Sequence, residues 1–479
     1  MTQTIADKGR PSRLDRADEA LRQALLRKTG GMGQALLFAL AVAAFYWIAL
    51  RARYAGIEEY FGGDPASRIR LTAMVYSVIY AISLAVQLRL FRGLSLGAKA
   101  LMALLTLLVL MAKVSLLDYE SDDYQIFLSG WVYRYSMMGF KEGLGTYIES
   151  DYTPPYLYLL QIISRLHSYP WHYMIKAWSI FFEVLLCYAV TGLASMKLRG
   201  DGARLAVWQI TSLLPTVVFN GAYWGQCDVI YTSLSLMGLL FGMRGRSARS
   251  MICFGLALSF KLQTVFFLPV LLPLWLRREL KLRTLPLIPC AYMAMMIPAL
   301  WGGKSLHHVL TVYLQQASGY NLMTINGTSL WHLLPTSEAL PGKLFFQLLS
   351  PVAMWLAFAA LGLMCLLLLM RRERLTQEGV LLFCLLGCSL IPYLLPKMHE
   401  RYTFGADVLS VAVAAHQPRL AILPLLYGLA SYICYTGGLP GHVILPLRFA
   451  ALIQGTAVLI AAIALWRSLN VPRGMEVKG

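Results

Sequence analysis

Charge is what this sequence has least of. Only 14% of its 479 residues are Asp, Glu, Lys or Arg, against about 25% in soluble proteins. A chain that is 58% hydrophobic and so poor in charge belongs mostly in lipid. It has no stretch for a separate soluble domain. The longest polar runs are 1–33, 118–153 and 302–344, and none reads as an independent core. Acids are the scarcer sign, 24 against 42 basic residues, giving a net charge of +18. No aromatic-plus-basic platform for nucleic acid accompanies that excess. It reads as basic residues flanking membrane spans.

Several chemistries are also missing. The eight cysteines show no Cys-x-x-Cys and no Cys/His spacing, and all but Cys227 sit in apolar runs. That excludes a disulfide frame and a zinc site and leaves small buried apolar residues. No dinucleotide-binding glycine fingerprint is present. Gly302-Gly303-Lys304-Ser305 ends like a P-loop, but Pro298 stands where the first glycine belongs and no strand precedes it. His399-Glu400 begins like a zincin motif, but Thr403 replaces the second histidine. No cleavable leader is evident. Residues 1–33 carry Arg10, Arg13, Arg16, Arg22, Arg27 and Lys28, with Leu14, Ala17, Leu21 and Leu25 at helical spacing. They read as a cytoplasmic arm, either an amphipathic surface helix or a solvated segment.

What is present is a series of apolar runs. Spans are predicted near 34–50, 71–91, 100–117, 171–193, 205–222, 229–243, 284–301, 345–370, 379–395, 404–416, 420–436 and 449–466. The run 250–276 is interrupted by Lys261 and Gln263 and has basic flanks, Arg249 and Arg277–Arg278. It reads as two short helices forming a hairpin. The expectation is an all-α polytopic membrane protein of about 14 transmembrane or re-entrant helices. One transmembrane domain covers 34–466, and residues 467–479 form a cytoplasmic tail. Placing both termini inside puts the basic loops 194–204, 244–249, 277–283 and 371–378 in the cytoplasm. The polar segments left on the outer side then hold nearly every Asp, Asn, His and Trp cluster.

Five such segments carry candidate chemistry. Asp118 to Asp123 follows a span directly, so Asp122 or Asp123 is a general base or a helix cap. Asp151-Tyr152-Thr153-Pro154 is a helix start, with Asp151 a second cap or a site acid. Asn220 to Asp228 is a compact turn holding Trp224, Gln226 and Asp228. Lys261 and Gln263 sit amid apolar residues, where a lysine is expensive unless paired or hydrated, or else snorkels to the interface. Lys397, His399 and Arg401, with Glu400 between them, place three potential cations at the mouth of a span, and such cations suit a phosphate.

These segments, in this order, resemble the GT-C glycosyltransferases. Asp123-Tyr-Gln-Ile-Phe-Leu-Ser-Gly-Trp131 and Asp151-Tyr-Thr-Pro-Pro-Tyr-Leu-Tyr-Leu159 are similar to the first outer loop of that class. The endoplasmic-reticulum glucosyltransferases that use dolichyl-phosphate glucose have a similar loop. Together with Trp224-Gly-Gln-Cys-Asp228, Phe260-Lys-Leu-Gln263 and Lys397-Met-His-Glu-Arg-Tyr402, they are most similar to the bacterial group related to the GPI-anchor mannosyltransferases. The resemblance implies a GT-C bundle with amphipathic helices in the first outer loop. It also implies an inverting transfer of one hexose, mannose-like or glucose-like, from a polyprenyl-phosphate donor. The acceptor would be a glycan or lipid-linked molecule at the outer face of a bacterial inner membrane. Asp123 would be the base, with Asp122 the second choice.

Such chemistry suits these residues. A polyprenyl phosphate leaves as a stable anion, so one base suffices where a glycosidase needs two carboxyls. The departing phosphate calls for fixed cations, assigned to Lys397, His399, Arg401 and Lys261. Tyr152, Asp151, Trp224, Gln226, Asp228, Gln263 and Glu400 are the expected substrate contacts. No cofactor is expected; a divalent cation would need Asp122, Asp123 and Asp151 to converge. A lipid or solute transporter and a polysaccharide polymerase or ligase are the alternatives, and neither requires nucleic acid.

Overall fold

The computed structural model describes residues 30–51, 65–150, 152–167, 169–319, 321–334, 342–439 and 444–470. Most of the expected N-terminal arm, most of the tail and Asp151 lie outside the described residues. Helix follows helix through the rest. In order they are α1 (Gly30–Arg51), α2 (Pro65–Leu90), α3 (Leu96–Val114), α4 (Ser129–Ser136), α5 (Phe140–Gly145), α6 (Pro154–Ile163) and α7 (Trp171–Ala194). Next come α8 (Asp201–Leu213), α9 (Pro215–Val218), α10 (Asp228–Met243), α11 (Ser247–Phe260), α12 (Leu271–Leu276) and α13 (Leu287–Gly302). The chain ends with α14 (Leu306–Ser318), α15 (Gly342–Met370), α16 (Gln377–Leu394), α17 (Phe404–His416), α18 (Ile422–Gly438) and α19 (Leu447–Asn470).

Among the described residues, eight helices are long and apolar enough to cross a bilayer, nine with the bent α8–α9 pair, and shorter apolar helices fill in between. The protein is an all-α polytopic membrane protein, as its composition predicts. Burial sorts the helices. α16 has 83% of its most apolar stretch inside the protein and is central, whereas α13 and α15, at 22%, turn most of their surface outward.

Three local breaks position the site. The predicted span 205–222 is not straight. It bends by 51° at Leu214–Pro215, where proline removes a helix hydrogen bond. The chain continues as a π-helical turn over Phe219–Trp224 rather than the simple Asn-Gly turn expected, and stops at Gly225, whose φ of +81° is left-handed.

The run 250–276 is a hairpin. α11 ends where Lys261 turns extended (φ −155°, ψ 138°), and two short 3₁₀ turns lead into α12. The backbone N–H of Lys281 donates to Ser247 Oγ (2.9 Å), and the hydroxyls of Ser247 and Thr284 lie 2.6 Å apart. The chain therefore returns to where it started, with Lys261 and Gln263 at the far tip. Thr153, expected as a helix cap, makes no capping bond. Its hydroxyl donates instead to the carbonyls of Ser259 (2.5 Å) and Phe260 (3.2 Å), which the end of α11 leaves free.

The segment between α3 and α6 forms a π-turn over Tyr124–Leu128, then α4 and α5. It buries Tyr124, Leu128, Val132 and Tyr135 and exposes Ile126, Tyr133, Met137 and Phe140. That is the amphipathic pattern expected of a segment lying along an interface. The second loop is clipped to the 396–402 loop by two short parallel strands, β1 (Thr324–Ile325) and β2 (Met398–His399). The Lys397 N–H donates to the Met323 carbonyl (3.1 Å) and the Trp331 indole to that of Leu394 (2.8 Å). Gly327 permits this approach: a Cβ there would stand 2.5 Å from the Met398 carbonyl oxygen.

Candidate active site

These pieces enclose a cavity of about 1020 Å³. Asp122, Asp123, Tyr152, Trp224, Gln226, Lys261, Gln263, Lys397, His399, Glu400 and Arg401 all line it. Segments scattered from the 118–153 loop to the 396–402 loop are thus brought together in one space. Two expected residues are not part of the lining. Asp228 has no exposed surface and sits behind Lys261 and Arg401, so its contacts are with cations rather than with the cavity. Asp151 lies outside the described residues.

Asp123 is held by one oxygen. Its Oδ2 accepts from Gln226 Nε2 (2.5 Å) and Trp224 Nε1 (3.1 Å) and lies 3.6 Å from Arg401 Nη1. Oδ1 has no protein partner among the described residues, and the carboxyl is about one-third exposed. Asp122 differs: it is exposed and accepts no hydrogen bond among the described residues. The capping duty weighed for this segment falls to Ser121, whose Oγ accepts from the Tyr124 N–H (3.3 Å) and donates to the Trp224 carbonyl (3.1 Å).

Gln226 is itself fixed. Tyr152 donates to its Oε1 (3.3 Å), and Ser179 donates to its backbone carbonyl (2.6 Å). The amide that aims at Asp123 is therefore oriented from both ends.

The cationic side is built around buried pairs. Lys261 Nζ is 2.5 Å from Asp228 Oδ1 and is ringed by Tyr152, Tyr231 and Tyr402 at about 6 Å. Asn220 Nδ2 donates to the second oxygen of Asp228 (3.0 Å), and Arg401 Nε stands 3.7 Å from it. Arg401 also bonds Glu400 (3.0 Å) and stacks over the Trp224 ring (5.2 Å). Arg401 Nη2 and two of the three Lys261 N–H donors are left without a protein partner among the described residues. Lys397, at a left-handed φ of 64°, places its Nζ 5.2 Å over the Phe346 ring.

Electrostatics separate the three expected cations. Burial acts against the charge of Arg401, but Glu400, Tyr152, Asp123 and Asp228 outweigh it and raise its pKa, so it stays charged. His399 goes the other way. Burial, then the charges of Arg401 and Lys261, push it down to about 3. At neutral pH this favours the uncharged imidazole. Burial raises Glu400, with Arg401 opposing.

Sequence reasoning missed residues that support these. Lys176, buried on α7, donates to the carbonyls of Leu116, Leu117 and Tyr119 (3.0, 2.9 and 2.6 Å) and packs against Gly225. It ties the exit of α3 to the Trp224–Gln226 turn. The signal was available, since a lysine inside an apolar span calls for a reason. Gln316 and Asn326 also line the cavity. Among the described residues no three His, Cys, Asp or Glu side chains are grouped to hold a metal ion. The third member of the expected acidic set, Asp151, is not among them.

No curated protein matches the chain. The profile of glycosyltransferase family 87, a GT-C-type family, matches residues 151–396, slightly more than half of it. That region contributes Tyr152, Trp224, Gln226, Lys261 and Gln263 to the cavity and Asp228 behind it, while Asp123 and Arg401 join the cavity from either side of the region. On that match, this membrane-spanning helical chain belongs to glycosyltransferase family 87.

Proposed function

We propose that the protein transfers a single hexose from a polyprenyl-phosphate donor to a glycan or lipid-linked acceptor, with inversion, at the extracytoplasmic face of a bacterial inner membrane. The observation that carries this reading is the 3.6 Å approach of Arg401 to Asp123 at one cavity. In this reading the base and the leaving-group cations share one cavity, so that the free oxygen of Asp123 and the unspent donors of Arg401 and Lys261 can reach the same donor molecule.

In this mechanism Asp123 Oδ1 takes the proton of the acceptor hydroxyl. The freed oxygen attacks the anomeric carbon as the bond from that carbon to the phosphate oxygen breaks. The lipid phosphate leaves as an anion and needs no proton. Lys261, Arg401 and Lys397 hold it, with Arg401 Nη2 and the unspent Lys261 N–H groups as donors. Such a base is worth about 10²–10⁴ in rate. The contacts on Oδ2 fix the carboxylate and favour Asp123 over Asp122, which has none. His399 contributes a neutral hydrogen bond. In this reading the fixed cations supply the charge that a divalent metal would supply elsewhere.

Two features support the lipid donor and the sidedness. Part of the cavity wall is apolar, formed by Leu262, Val265, Phe266, Val312 and Met354, which suits a prenyl chain beside a phosphate. The opposite end of the hairpin carries Arg246, Arg249, Arg278, Lys281 and Arg283. Basic loops are retained in the cytoplasm, which puts the Lys261 tip toward the outside.

The test is donor identity. Purified protein, given either a polyprenyl-phosphate hexose or a polyprenyl-pyrophosphate glycan with acceptor extract, is expected to use the first alone and to keep its activity in chelator. Transfer only from the pyrophosphate glycan, or no covalent product from either, contradicts the proposal.

A further inference from the structure

A second, open hollow lies at the base of the 247–281 hairpin. It measures about 480 Å³, and Arg246, Arg249, Lys281 and Arg283 line it together with Ser247 and Thr284. No acid lines it. Among the described residues none of these four side chains has an ion-pair or hydrogen-bond partner. Other basic side chains in the neighbouring loops do: Arg277 is paired with Glu279 (2.8 Å), and Lys197 with Glu378 (2.9 Å). Retention of positive charge on one side of a membrane explains why these loops are basic. It does not explain why four solvent-exposed cations line one hollow with no acid among them.

The backbone adds to the same field. α11, a helix of 14 residues, begins at this hollow, and its N-cap residue, Arg246, provides no side-chain cap. The first three residues of the helix, Ser247, Ala248 and Arg249, line the hollow, so that it lies at an uncapped helix start, the positive end of the helix dipole. Clustered cations at an uncapped helix start are the chemistry that holds a phosphate. Leu282, between Lys281 and Arg283, is an exposed apolar side chain, as are Ile252 on α11 and Trp275 on α12. Tryptophan at that level marks a membrane interface. A phosphate bound here has hydrocarbon next to it.

We infer that this hollow is a binding site for the phosphate headgroup of an anionic phospholipid. The headgroup sits among Arg246, Arg249, Lys281 and Arg283, with its acyl chains along Ile252 and Leu282. The site lies at the foot of the helix whose other end presents Lys261, about 21 Å away at 1.5 Å per residue. It is separate from the catalytic cavity and does not depend on the activity proposed for it.

The probes are phosphatidylglycerol, phosphatidylcholine and inorganic phosphate. The protein, stripped of lipid, is placed in nanodiscs of each lipid, and retained lipid is read by native mass spectrometry alongside the thermal midpoint. The expected result is one tightly retained phosphatidylglycerol and a higher midpoint than in phosphatidylcholine. The double variant Arg246→Gln/Arg283→Gln is expected to weaken retention about 30-fold, since each basic residue near a membrane surface contributes a roughly fivefold factor. Its gel-filtration profile should match that of the parent. The control Arg371→Gln/Arg372→Gln removes two exposed cations elsewhere and should leave retention unchanged. Equal loss in both variants would mean general surface charge and would overturn the inference, as would unchanged retention in Arg246→Gln/Arg283→Gln. If inorganic phosphate alone reproduces the whole stabilisation and phosphatidylglycerol is not retained, the lipid assignment is overturned and the hollow takes a soluble phosphate.

Discussion

The guanidinium of Arg401 stands 3.6 Å from Asp123 and 3.7 Å from Asp228, so one side chain joins the carboxylate that faces the cavity to the carboxylate buried behind it. It bonds Glu400 as well and stacks on Trp224, which in turn donates to Asp123. The proposed base and the proposed phosphate site are therefore one connected structure.

Arg401→Lys tests that connection. A lysine keeps the charge but is a single point on a flexible stem, and it cannot serve three carboxylates and a ring at once. The expected loss in kcat/KM is about 10²-fold, since a charged hydrogen bond is worth about 1.5–3 kcal/mol. Steady-state transfer kinetics check it, with a circular-dichroism melt to confirm that the fold persists.

The Lys261–Asp228 pair separates stability from catalysis. Both partners are buried, so Lys261→Met leaves a carboxylate with its main counter-ion gone, a change expected to cost about 3–5 kcal/mol. Replacing both, as Lys261→Met with Asp228→Leu, should recover most of the thermal midpoint. Transfer should stay absent in the double variant, because the phosphate has lost a donor. A double variant that regains activity along with stability would show the lysine to be structural alone.

His399 gives a pH prediction of definite sign. Its folded pKa is lowered to about 3, below the usual value near 6.5. Burial of the neutral ring therefore favours the fold at high pH. Its contribution is complete above about 6.5 and is lost as pH falls toward 3, because the unfolded chain binds the extra proton. Thermal melts between pH 7 and 4 should show less acid destabilisation in His399→Asn than in the parent. The shape of the pH–rate profile above pH 5 should be the same in both, since this ring does not titrate there.

Much of this arrangement was legible in the sequence, and the misses share a cause. Apolar runs of spanning length located the helices, and Lys261 within such a run announced the tip of a hairpin. Motif order identified which polar residues share one site. What residue type could not supply was who faces whom. Asp228 reads like any acid in a Trp-Gly-Gln-Cys-Asp run, yet its burial makes it a counter-ion. His399 reads as a cation, but burial, and then the charges of Arg401 and Lys261, favour its neutral form. Thr153 reads as a cap, but the free carbonyls at the end of α11 take its hydroxyl. The π-turn at Phe219–Trp224 depends on a bend at Pro215 that packing completes, so an Asn-Gly pair alone pointed to a simpler turn.

Gly327 tests the clip between the two loops. Any Cβ there meets the carbonyl oxygens of Met398 and His399 at 2.5 and 2.8 Å, so Gly327→Ala must part β1 from β2. Overpacking of this kind costs about 1–3 kcal/mol. The expected signature is a marked fall in kcat/KM with a smaller effect on global stability, since the clip joins two loops that line the cavity. Kinetics and a melt on the same preparation resolve the two.

The most direct measurement compares transfer of a labelled hexose from its polyprenyl phosphate by the parent, Asp123→Asn and Asp122→Asn, each purified and shown to be folded. The account predicts loss of about 10²–10⁴-fold in Asp123→Asn, the range for a general base, with Asp122→Asn largely active. Full transfer by Asp123→Asn, or selective loss in Asp122→Asn, would contradict it.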